Sequence, residues 1–473
     1  KLAAAKAAKE KAAGEQAPKT ADDAAALEAK LAGMDPVKAA KVRAAMEAKA
    51  KKEAAAKQAA VDEKVAGLDP EKAAKVKAAL EAKAAREAAK RKPLKRRPTR
   101  PARRQRRKVS SMGKATVIPF GPQHPVLPEP LHLDLVVEDE TVIEAIPQIG
   151  FIHRGLEKLV ETRDYNQFIY VAERICGICA FGHSMGYAET VERLMGVQIP
   201  ERAEYLRVIW HELSRIHSHV LWMGLAADAF GFESLFMHCW RLRERVLDIF
   251  EKTTGGRVIF SVVKVGGVVR DIDDAQFAEM KRVLEGIKDE YRQLCNAFLK
   301  DSSVKNRTVG VGYISHEDAL AQSMVGPFAR ASNVNYDARM LGNGGYGFLS
   351  DFQPILDGQG DCYARVKVRA LEVLQSIDII EEMIAKIPAG DIAVDVKGSP
   401  AAGAEAANVV EQPRGECYYY ARGNGSKFLD RMRMRTPTSQ NLAGMATALA
   451  GCDLADVNMI VLTIDPCISC TER

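Results

Sequence analysis

Two short segments, RICGICAFGH (174–183) and DPCISCTER (465–473), decide how this chain folds. Each contains a C-x-x-C pair, Cys176 with Cys179 and Cys467 with Cys470. Cysteines at this spacing can turn two thiolates towards one metal, and two such pairs make a four-sulfur site. Most of the chain lies between the pairs, so the chain must fold back on itself to complete the site. The sequence therefore predicts a metal centre that joins the two ends of the folded region.

Four thiolates suit more than one metal. A structural zinc ion held by four cysteines is the simplest interpretation, although structural zinc sites usually clip together a short local segment. Soft thiolate ligands also suit nickel, iron and iron–sulfur centres. The spacing of the cysteines leaves these alternatives open.

The residues around the cysteines resemble the two signature motifs of the large subunit of nickel–iron hydrogenases. Three other segments narrow the resemblance: FGPQHPVLPEPLHL (120–133), GFIHRGLEK (150–158) and HELSRIHSHVLWMG (211–224). They are similar to the energy-converting, Ech-type hydrogenases and to the related 49 kDa-type subunit of respiratory complex I. The resemblance covers the chain from about residue 112 to residue 473.

This resemblance implies a role for each cysteine. Cys176 and Cys467 would be terminal nickel ligands, whereas Cys179 and Cys470 would bridge nickel to an iron atom that carries carbon monoxide and cyanide. Heterolytic cleavage of dihydrogen releases a proton, and the thiolate of Cys467 would take it first. A carboxylate must then carry the proton outward.

Three further side chains match catalytic positions of the family. Glu129 matches the proton-relay glutamate, although a surface acid between two prolines is its simpler interpretation. Arg414 resembles the arginine that overhangs the iron, and Pro413–Arg414–Gly415 is also good turn chemistry. Asp465 would hold that arginine or the loop in place, or act as an ordinary helix cap.

The end of the sequence carries a departure from the family. Glu157 matches a glutamate that in many relatives binds a third metal, magnesium or iron, where the last residue is histidine. Here that residue is Arg473, whose guanidinium cannot ligate a metal and would instead pair with Glu157. The resemblance also implies a mature form from which a tail has been removed. We therefore expect residues 471–473 to be buried near Glu157, with the four cysteine sulfurs within a few ångströms of one another.

The hydropathy pattern predicts the fold class. Apolar and polar residues alternate from residue 131 to a turn at 138–140, which predicts a β-hairpin. Helical periodicity then dominates, at about 156–172, 180–195, 201–227, 232–254, 273–300, 315–330 and 361–386. The pattern predicts a mainly α fold of the α+β type, with a large helical core and a small antiparallel sheet at its N-terminal edge. The resemblance to hydrogenase large subunits and the complex I 49 kDa subunit implies the same.

The first part of the chain has a different composition. Residues 1–90 contain no aromatic residue and no cysteine, so they cannot bury a core of their own. A repeat with a period of 34 residues begins at Gly33 and Gly67, and its Ala-, Lys- and Glu-rich copies predict charged helices. The sequence thus predicts three parts: a helical repeat extension (1–90), a basic linker (91–111) and a catalytic domain (112–473).

The basic segment 90–108 has 12 Lys or Arg among 19 residues, and its prolines exclude a continuous helix. It is a solvated linker or an attachment site for anionic lipid. The formal net charge is +6, and without this segment it would be −6, so no nucleic-acid partner is expected.

The sequence also bears on location and partners. No stretch of eighteen apolar residues and no secretory segment occur, and the five remaining cysteines are scattered singly. These features favour a reducing, cytoplasmic setting, and the resemblance to membrane-associated hydrogenases implies a place at the cytoplasmic face of the cell membrane. Since no further C-x-x-C occurs, the resemblance implies an iron–sulfur small subunit as partner, with ferredoxin and ion-pumping membrane subunits.

Two functions from different classes follow from the sequence. The first is the catalytic subunit of a membrane-associated, energy-converting nickel–iron hydrogenase. The second is a complex I-like subunit that binds quinone or connects moving parts, without nickel chemistry. The four intact cysteines favour the first.

Overall fold

The structure is a computed structural model that describes residues 115–127 and 129–473, so the predicted extension and basic linker lie outside the described residues. Thirteen α-helices are formed in this part of the chain: α1 (Leu156–Leu159), α2 (Tyr165–Glu173), α3 (Ala180–Met195), α4 (Glu201–Ala229), α5 (Glu233–Thr254), α6 (Asp274–Lys300), α7 (Ser302–Thr308), α8 (His316–Ala321), α9 (Gly326–Arg330), α10 (Cys362–Lys386), α11 (Pro437–Leu449), α12 (Val457–Ile464) and α13 (Ile468–Thr471). Eight strands accompany them: β1 (Thr116–Phe120), β2 (His132–Glu138), β3 (Thr141–Gln148), β4 (Val263–Lys264), β5 (Gly267–Val268), β6 (Glu405–Gln412), β7 (Gly415–Gly423) and β8 (Leu429–Arg435). The predicted mainly α fold with a small N-terminal antiparallel sheet is confirmed.

The N-terminal sheet has the order β1-β2-β3, and all its pairings are antiparallel. Strands β2 and β3 form the predicted hairpin. The alternation of residues places Leu133, Leu135 and Val137 on the buried face, where they join one hydrophobic cluster with α11, α12 and α13. This sheet therefore packs on the segment that carries Cys467 and Cys470.

Helix α4 is the centre of the helical core. It packs against α5 on one side and against α10 on another. Its two tryptophans, Trp210 and Trp222, are fully buried, and their indole nitrogens donate to Thr253 Oγ1 and to the carbonyl of Leu462. Because α4 is buried between other helices, it provides a rigid support for the site.

Two of the predicted helical segments are interrupted. The segment 156–172 breaks because Asp164 caps a new helix, with its carboxylate accepting from the amide of Asn166 at 2.9 Å. The segment 315–330 breaks because Val325 is extended and Pro327 lies at the start of α9. A proline and a capping aspartate thus override the apolar periodicity.

A second three-stranded antiparallel sheet, β6-β7-β8, was not predicted. Helix α3 packs across β6 and β7. The close approach requires a glycine, because a Cβ at Gly186 would lie 2.3 Å from the ring of Tyr419. This contact joins the helix that follows Cys179 to the sheet that carries Gln412 and leads into Arg414.

Candidate metal centre

The four cysteines of the two motifs meet in one buried cluster. Their sulfur atoms all lie within 4.8 Å of one another, and each residue is only 1–3% exposed. The Sγ of Cys467 lies 3.4 Å from that of Cys176 and 3.1 Å from that of Cys470, and the Sγ atoms of Cys179 and Cys470 are 3.4 Å apart. All four are free thiols. The prediction that the pairs meet is confirmed, and the donor set fits thiolate-binding metals.

Local structure presents each sulfur to the cluster. Cys179 precedes the first residue of α3, and Cys467 precedes the first residue of α13. The amide of Ile178 donates to the Sγ of Cys176 at 3.3 Å. Backbone donors near thiolates stabilise their negative charge.

Arg154 ties the two cysteine segments together. Its guanidinium donates to the carbonyls of Arg174 and Ile175 beside the first pair and of Ser469 within the second pair. One cation thus bridges segments that are almost three hundred residues apart in sequence. This residue lies in the recognised segment 150–158, but its role was not predicted.

Because the four sulfurs are packed closely together, the pKa values of their thiols shift in opposite directions. Hydrogen bonds from the neighbouring thiols, Cys176 first, hold the pKa of Cys179 well below its usual range. Contact with the sulfur of Cys176 raises the pKa of Cys467 and that of Cys470 well above theirs. A bound cation would replace the remaining protons, which couples metal binding to proton release.

Glu129 lies beside the second cysteine pair. Its Oε2 accepts from the amide of Ile468 and, at 3.1 Å, from the amide of Ser469. Burial raises the pKa of the Glu129 carboxyl above its ordinary value, although Arg414 and the two amides oppose the shift. The carboxyl is therefore fixed next to the peptide that follows Cys467, where burial opposes its ionisation.

Arg414 and Asp465 form a buried pair next to the cysteines. Arg414 donates from Nε to the carbonyl of Asp465 at 2.9 Å and from Nη2 to its Oδ1 at 2.9 Å. Asp465 adopts a left-handed conformation, with φ of 59°, at the end of α12. The Nη1 of Arg414 is buried and has no partner among the described residues. One arm of the guanidinium is thus held and the other is free to bind.

A small cavity lies over the sulfurs. Its volume is about 10 Å³, roughly the space of one water molecule. It is lined by Cys179, Cys467 and Cys470 together with His183, Gln412, Arg414, Pro437 and Thr438. The cavity leaves space beside three of the four sulfurs, as the open coordination position of a catalytic metal site requires.

Glu157 pairs with Arg473, as the sequence suggested. Its Oε1 accepts from Arg473 Nε at 3.0 Å and from the amide of Met434 at 2.9 Å, while its Oε2 accepts from Arg433 at 2.9 Å. Within residues 115–127 and 129–473, the four-cysteine cluster is the only group of three or more potential metal ligands. The guanidinium groups of Arg433 and Arg473 both pair with the carboxylate of Glu157. This arrangement does not fit the magnesium ion that the resemblance implied.

The histidines of α4 have protein partners. His211 contacts the hydroxyl of Tyr346 at 2.8 Å, and His219 contacts Glu372 at 2.9 Å. His217 accepts from Arg243 at Nδ1, so its Nε2 carries hydrogen and donates to the carbonyl of Ile178 at 3.1 Å. His217 thereby steadies the loop between the first two cysteines.

Comparisons with known proteins place this site in a family. A model described as the 49 kDa subunit of respiratory-chain NADH dehydrogenase matches residues 229–402 and 393–473, and a nickel-dependent hydrogenase model matches residues 154–226. The membrane-bound hydrogenase subunit alpha of Pyrococcus furiosus is 36% identical over 371 residues, which cover 75% of this chain and 87% of that protein. The chain belongs to the family that unites these hydrogenase and NADH dehydrogenase subunits.

Other members of this family include both hydrogenases and NADH-quinone oxidoreductase subunits. The carbon monoxide-induced hydrogenase of Rhodospirillum rubrum is 36% identical, over 75% of this chain and 99% of its own. An NADH-quinone oxidoreductase subunit of Desulforamulus reducens is 35% identical, over 73% of this chain and 95% of its own. The family is one of oxidoreductases, and the choice between its two activities depends on the site.

The fold matches a solved member of a respiratory membrane complex. A chain of the membrane-bound sulfane sulfur reductase, an archaeal respiratory membrane complex, superposes with a TM-score of 0.72 at 29% identity, covering 76% of this chain and 98% of that one. In the described part of the present chain, none of the helices is long and apolar enough to cross a membrane.

Four residues of the cavity were not singled out from the sequence: His183, Gln412, Pro437 and Thr438. His183 lies four residues after Cys179, so helical spacing could have placed it on the same face of α3, where its Nε2 lies 3.3 Å from the Sγ of Cys470. Thr438 accepts from the amide of Cys467 at 2.9 Å, and Gln412 lines the cavity. Neither is marked by spacing or composition.

Proposed function

We propose that this chain is the catalytic subunit of a membrane-associated, energy-converting hydrogenase. It would cleave and form dihydrogen at a nickel–iron centre held by Cys176, Cys179, Cys467 and Cys470. Electrons would pass to and from ferredoxin through an iron–sulfur partner subunit. The buried quartet of free thiols, beside a small cavity that Arg414 also lines, is the observation that carries this proposal.

The residues around the cavity fit a nickel–iron centre better than a structural zinc ion. Structural zinc sites are closed by their four ligands, whereas here Arg414, whose Nη1 has no partner among the described residues, lines a cavity together with three of the cysteines. Arg414 keeps its charge because Asp465 and the cysteines outweigh the effect of burial and raise its pKa well above the usual range. When bound, the centre would supply the redox and Lewis-acid chemistry that splits dihydrogen, and the guanidinium would hydrogen-bond its anionic diatomic ligands.

The protein would move the proton away from the centre through Glu129. A thiol in a buried pocket needs a nearby acid–base group to exchange its proton with water. Glu129 is anchored to the amides of Ile468 and Ser469, directly after Cys467, and burial raises the pKa of its carboxyl. It is therefore the first relay between the thiol of Cys467 and the surface.

The first cysteine loop offers the route for electrons. Gly177 is exposed although Cys176 and Cys179 on either side are buried, so the centre lies just beneath the surface there. A partner with an iron–sulfur cluster can approach the sulfurs closely at this point. In this proposal the complex is held at the cytoplasmic face of the membrane by ion-pumping partner subunits, and the basic segment 90–108 contacts anionic lipid.

The family also supports a second candidate function. The 49 kDa subunit model covers residues 229–473, and quinone oxidoreductase subunits match as well as hydrogenases do. On this alternative the chain binds quinone or connects moving parts, and its cysteines hold zinc or no metal.

Metal analysis of the purified complex separates the two. We expect nickel in stoichiometric amount with the chain, together with infrared bands from iron-bound carbon monoxide and cyanide. Zinc alone, or no metal, would overturn the hydrogenase proposal and favour the connector. Addition of zinc to the metal-free chain serves as a control, because it yields the four-sulfur site without any diatomic bands.

A further inference from the structure

Gln412 is a buried amide whose hydrogen-bonding groups are unused. It is the last residue of β6, it is only 1% exposed, and its side chain lines the cavity over the cysteines. Neither its Oε1 nor its Nε2 meets hydrogen-bond geometry with a partner among the residues that the structure describes, although the hydroxyl of Tyr419 lies near the amide. A buried amide without partners is costly, and native proteins rarely leave one unless something else binds it.

The surrounding chain is built to hold this amide in place. The guanidinium of Arg215, which is itself fully buried, donates to the carbonyl oxygens of Glu411 and Gln412, which fixes the backbone. On the other side, a Cβ at Gly182 would lie 2.2 Å from the Oε1 of Gln412 and 2.6 Å from its Cδ. Only glycine leaves room for the amide against α3, three residues after Cys179.

Gln412 and Arg414 line the same cavity. The Nη1 of Arg414 is buried without a partner among the described residues. Arg414 can only donate, and Gln412 can donate through its amide nitrogen. Two donor-bearing side chains that line one buried cavity suit a small group with accessible lone pairs and negative charge.

We infer that Gln412 is a further ligand-binding residue of the metal centre. Its amide nitrogen donates a hydrogen bond to a small anionic acceptor of the cyanide class bound to the metals, beside Arg414, and Gly182 provides the space for this contact. The inference rests on the proposed function, which supplies the acceptor.

Infrared spectra of the purified complex test this contact directly. We expect Gln412→Met, which keeps most of the side-chain volume but cannot donate, to shift the cyanide bands while nickel content stays at the wild-type level. Gly182→Ala pushes the amide away and should produce a shift in the same bands. Gln440→Met is the matched control, because Gln440 on α11 donates to the carbonyl of Gln322 at 3.3 Å and does not line the cavity.

Each outcome has one meaning. Cyanide bands that stay unchanged in both Gln412→Met and Gln412→Ala, with nickel retained, would overturn the inference and leave the proposed function intact. Loss of nickel from both variants would also overturn it, because Gln412 would then be a structural residue. Absence of carbon monoxide and cyanide bands from the wild-type complex would overturn the proposed function itself and the inference with it.

Discussion

Cys467 occupies the position in the cluster where replacement should do most harm. It contacts the sulfurs of both Cys176 and Cys470. In Cys467→Ser a neutral hydroxyl replaces a soft thiolate, so we expect loss of bound nickel and of dihydrogen turnover. Nickel content and hydrogen evolution of the purified complex are the measurements.

Cys452→Ser is the control for that experiment. Cys452 is half-buried and does not belong to the four-sulfur cluster. This variant should keep its nickel and its turnover. Normal nickel content and activity in Cys467→Ser would refute the assignment of Cys467 as a ligand.

Glu129 provides a second test at the residue scale. In Glu129→Gln an amide oxygen can still accept from Ile468 and Ser469, so the metals should assemble. The amide cannot relay a proton, and turnover should fall by about 10²- to 10⁴-fold. Glu144→Gln, which changes an exposed acid on β3, should leave turnover unchanged. Full turnover in Glu129→Gln would mean that the proton leaves by another path.

Some residues of the candidate site could be predicted from the sequence, and others could not. The cysteines carry their own spacing, and the family motifs mark Glu129, Arg414 and Asp465, which the structure brings to the same place. Gln412 could not be found in this way, because its importance comes from partners that it lacks. Only the packed structure shows which buried amides remain unpaired.

At the scale of elements, α3 carries two buried acids in contrasting surroundings. Glu192 is paired on both oxygens by Arg207, at 2.7 and 2.9 Å. Glu189, one turn earlier, contacts β6 only through the amide of Asn408, at 2.6 Å. Burial raises the pKa of Glu189 to about 7 from an ordinary value of 4.5. The two acids should therefore affect stability in opposite ways.

Glu189→Gln should stabilise the protein in a pH-dependent manner. Between pH 4.5 and 7 the unfolded chain loses the Glu189 proton while the folded chain keeps it, so stability falls as pH rises. Removal of the charge should then add up to about 3 kcal/mol at pH 8 and almost nothing at pH 4.5. Thermal unfolding at both pH values measures the difference.

Glu192→Gln is the matched comparison on the same helix. It leaves the buried Arg207 without its carboxylate and should destabilise the protein by about 3–5 kcal/mol at pH 8. If Glu189→Gln were destabilising at pH 8, burial would not be what governs the Glu189 carboxyl.

The second sheet marks a limit of sequence patterns at this scale. In β8 the buried Met432 and Met434 alternate with Arg431, Arg433 and Arg435, which is a strand pattern. Its many charges and short length kept it from standing out beside the longer helical periodicities. In its partner β7, residues 415–417 are all buried. Buried and exposed residues do not alternate there, because both faces of the strand are covered.

At the scale of the whole molecule, the N-terminal sheet and the C-terminal helices share one hydrophobic cluster. The resemblance implied burial of residues 471–473 near Glu157. This is confirmed for Thr471 and Glu472, which are 7% and 4% exposed, whereas Arg473 is half-buried and pairs with Glu157. The amide of Ile152 donates to Glu472 at 2.5 Å, and His153 contacts its carbonyl at 2.9 Å. The segment after β3 therefore clamps the helix that bears Cys470.

Arg473 completes this clamp from the other side. Its guanidinium contacts Glu157 of α1, the carbonyl of Met434 on β8 and Ser439 of α11. These elements come from two separate parts of the chain, since α11 follows β8 directly. One side chain thus couples the position of the second cysteine pair to the packing of the whole domain.

Arg473→Ala should therefore weaken metal retention without removing any ligand. Loss of the guanidinium frees the segment behind Cys470, and we expect nickel to leave faster in the presence of a chelator. Arg433→Ala is the control, because Arg433 also pairs with Glu157 but is 59% exposed, against 16% for Arg473. Exposed ion pairs contribute little, so this variant should release nickel at the wild-type rate. Equal release from the two variants would mean that the clamp acts through Glu157 alone and not through the contacts that Arg473 makes with β8 and α11.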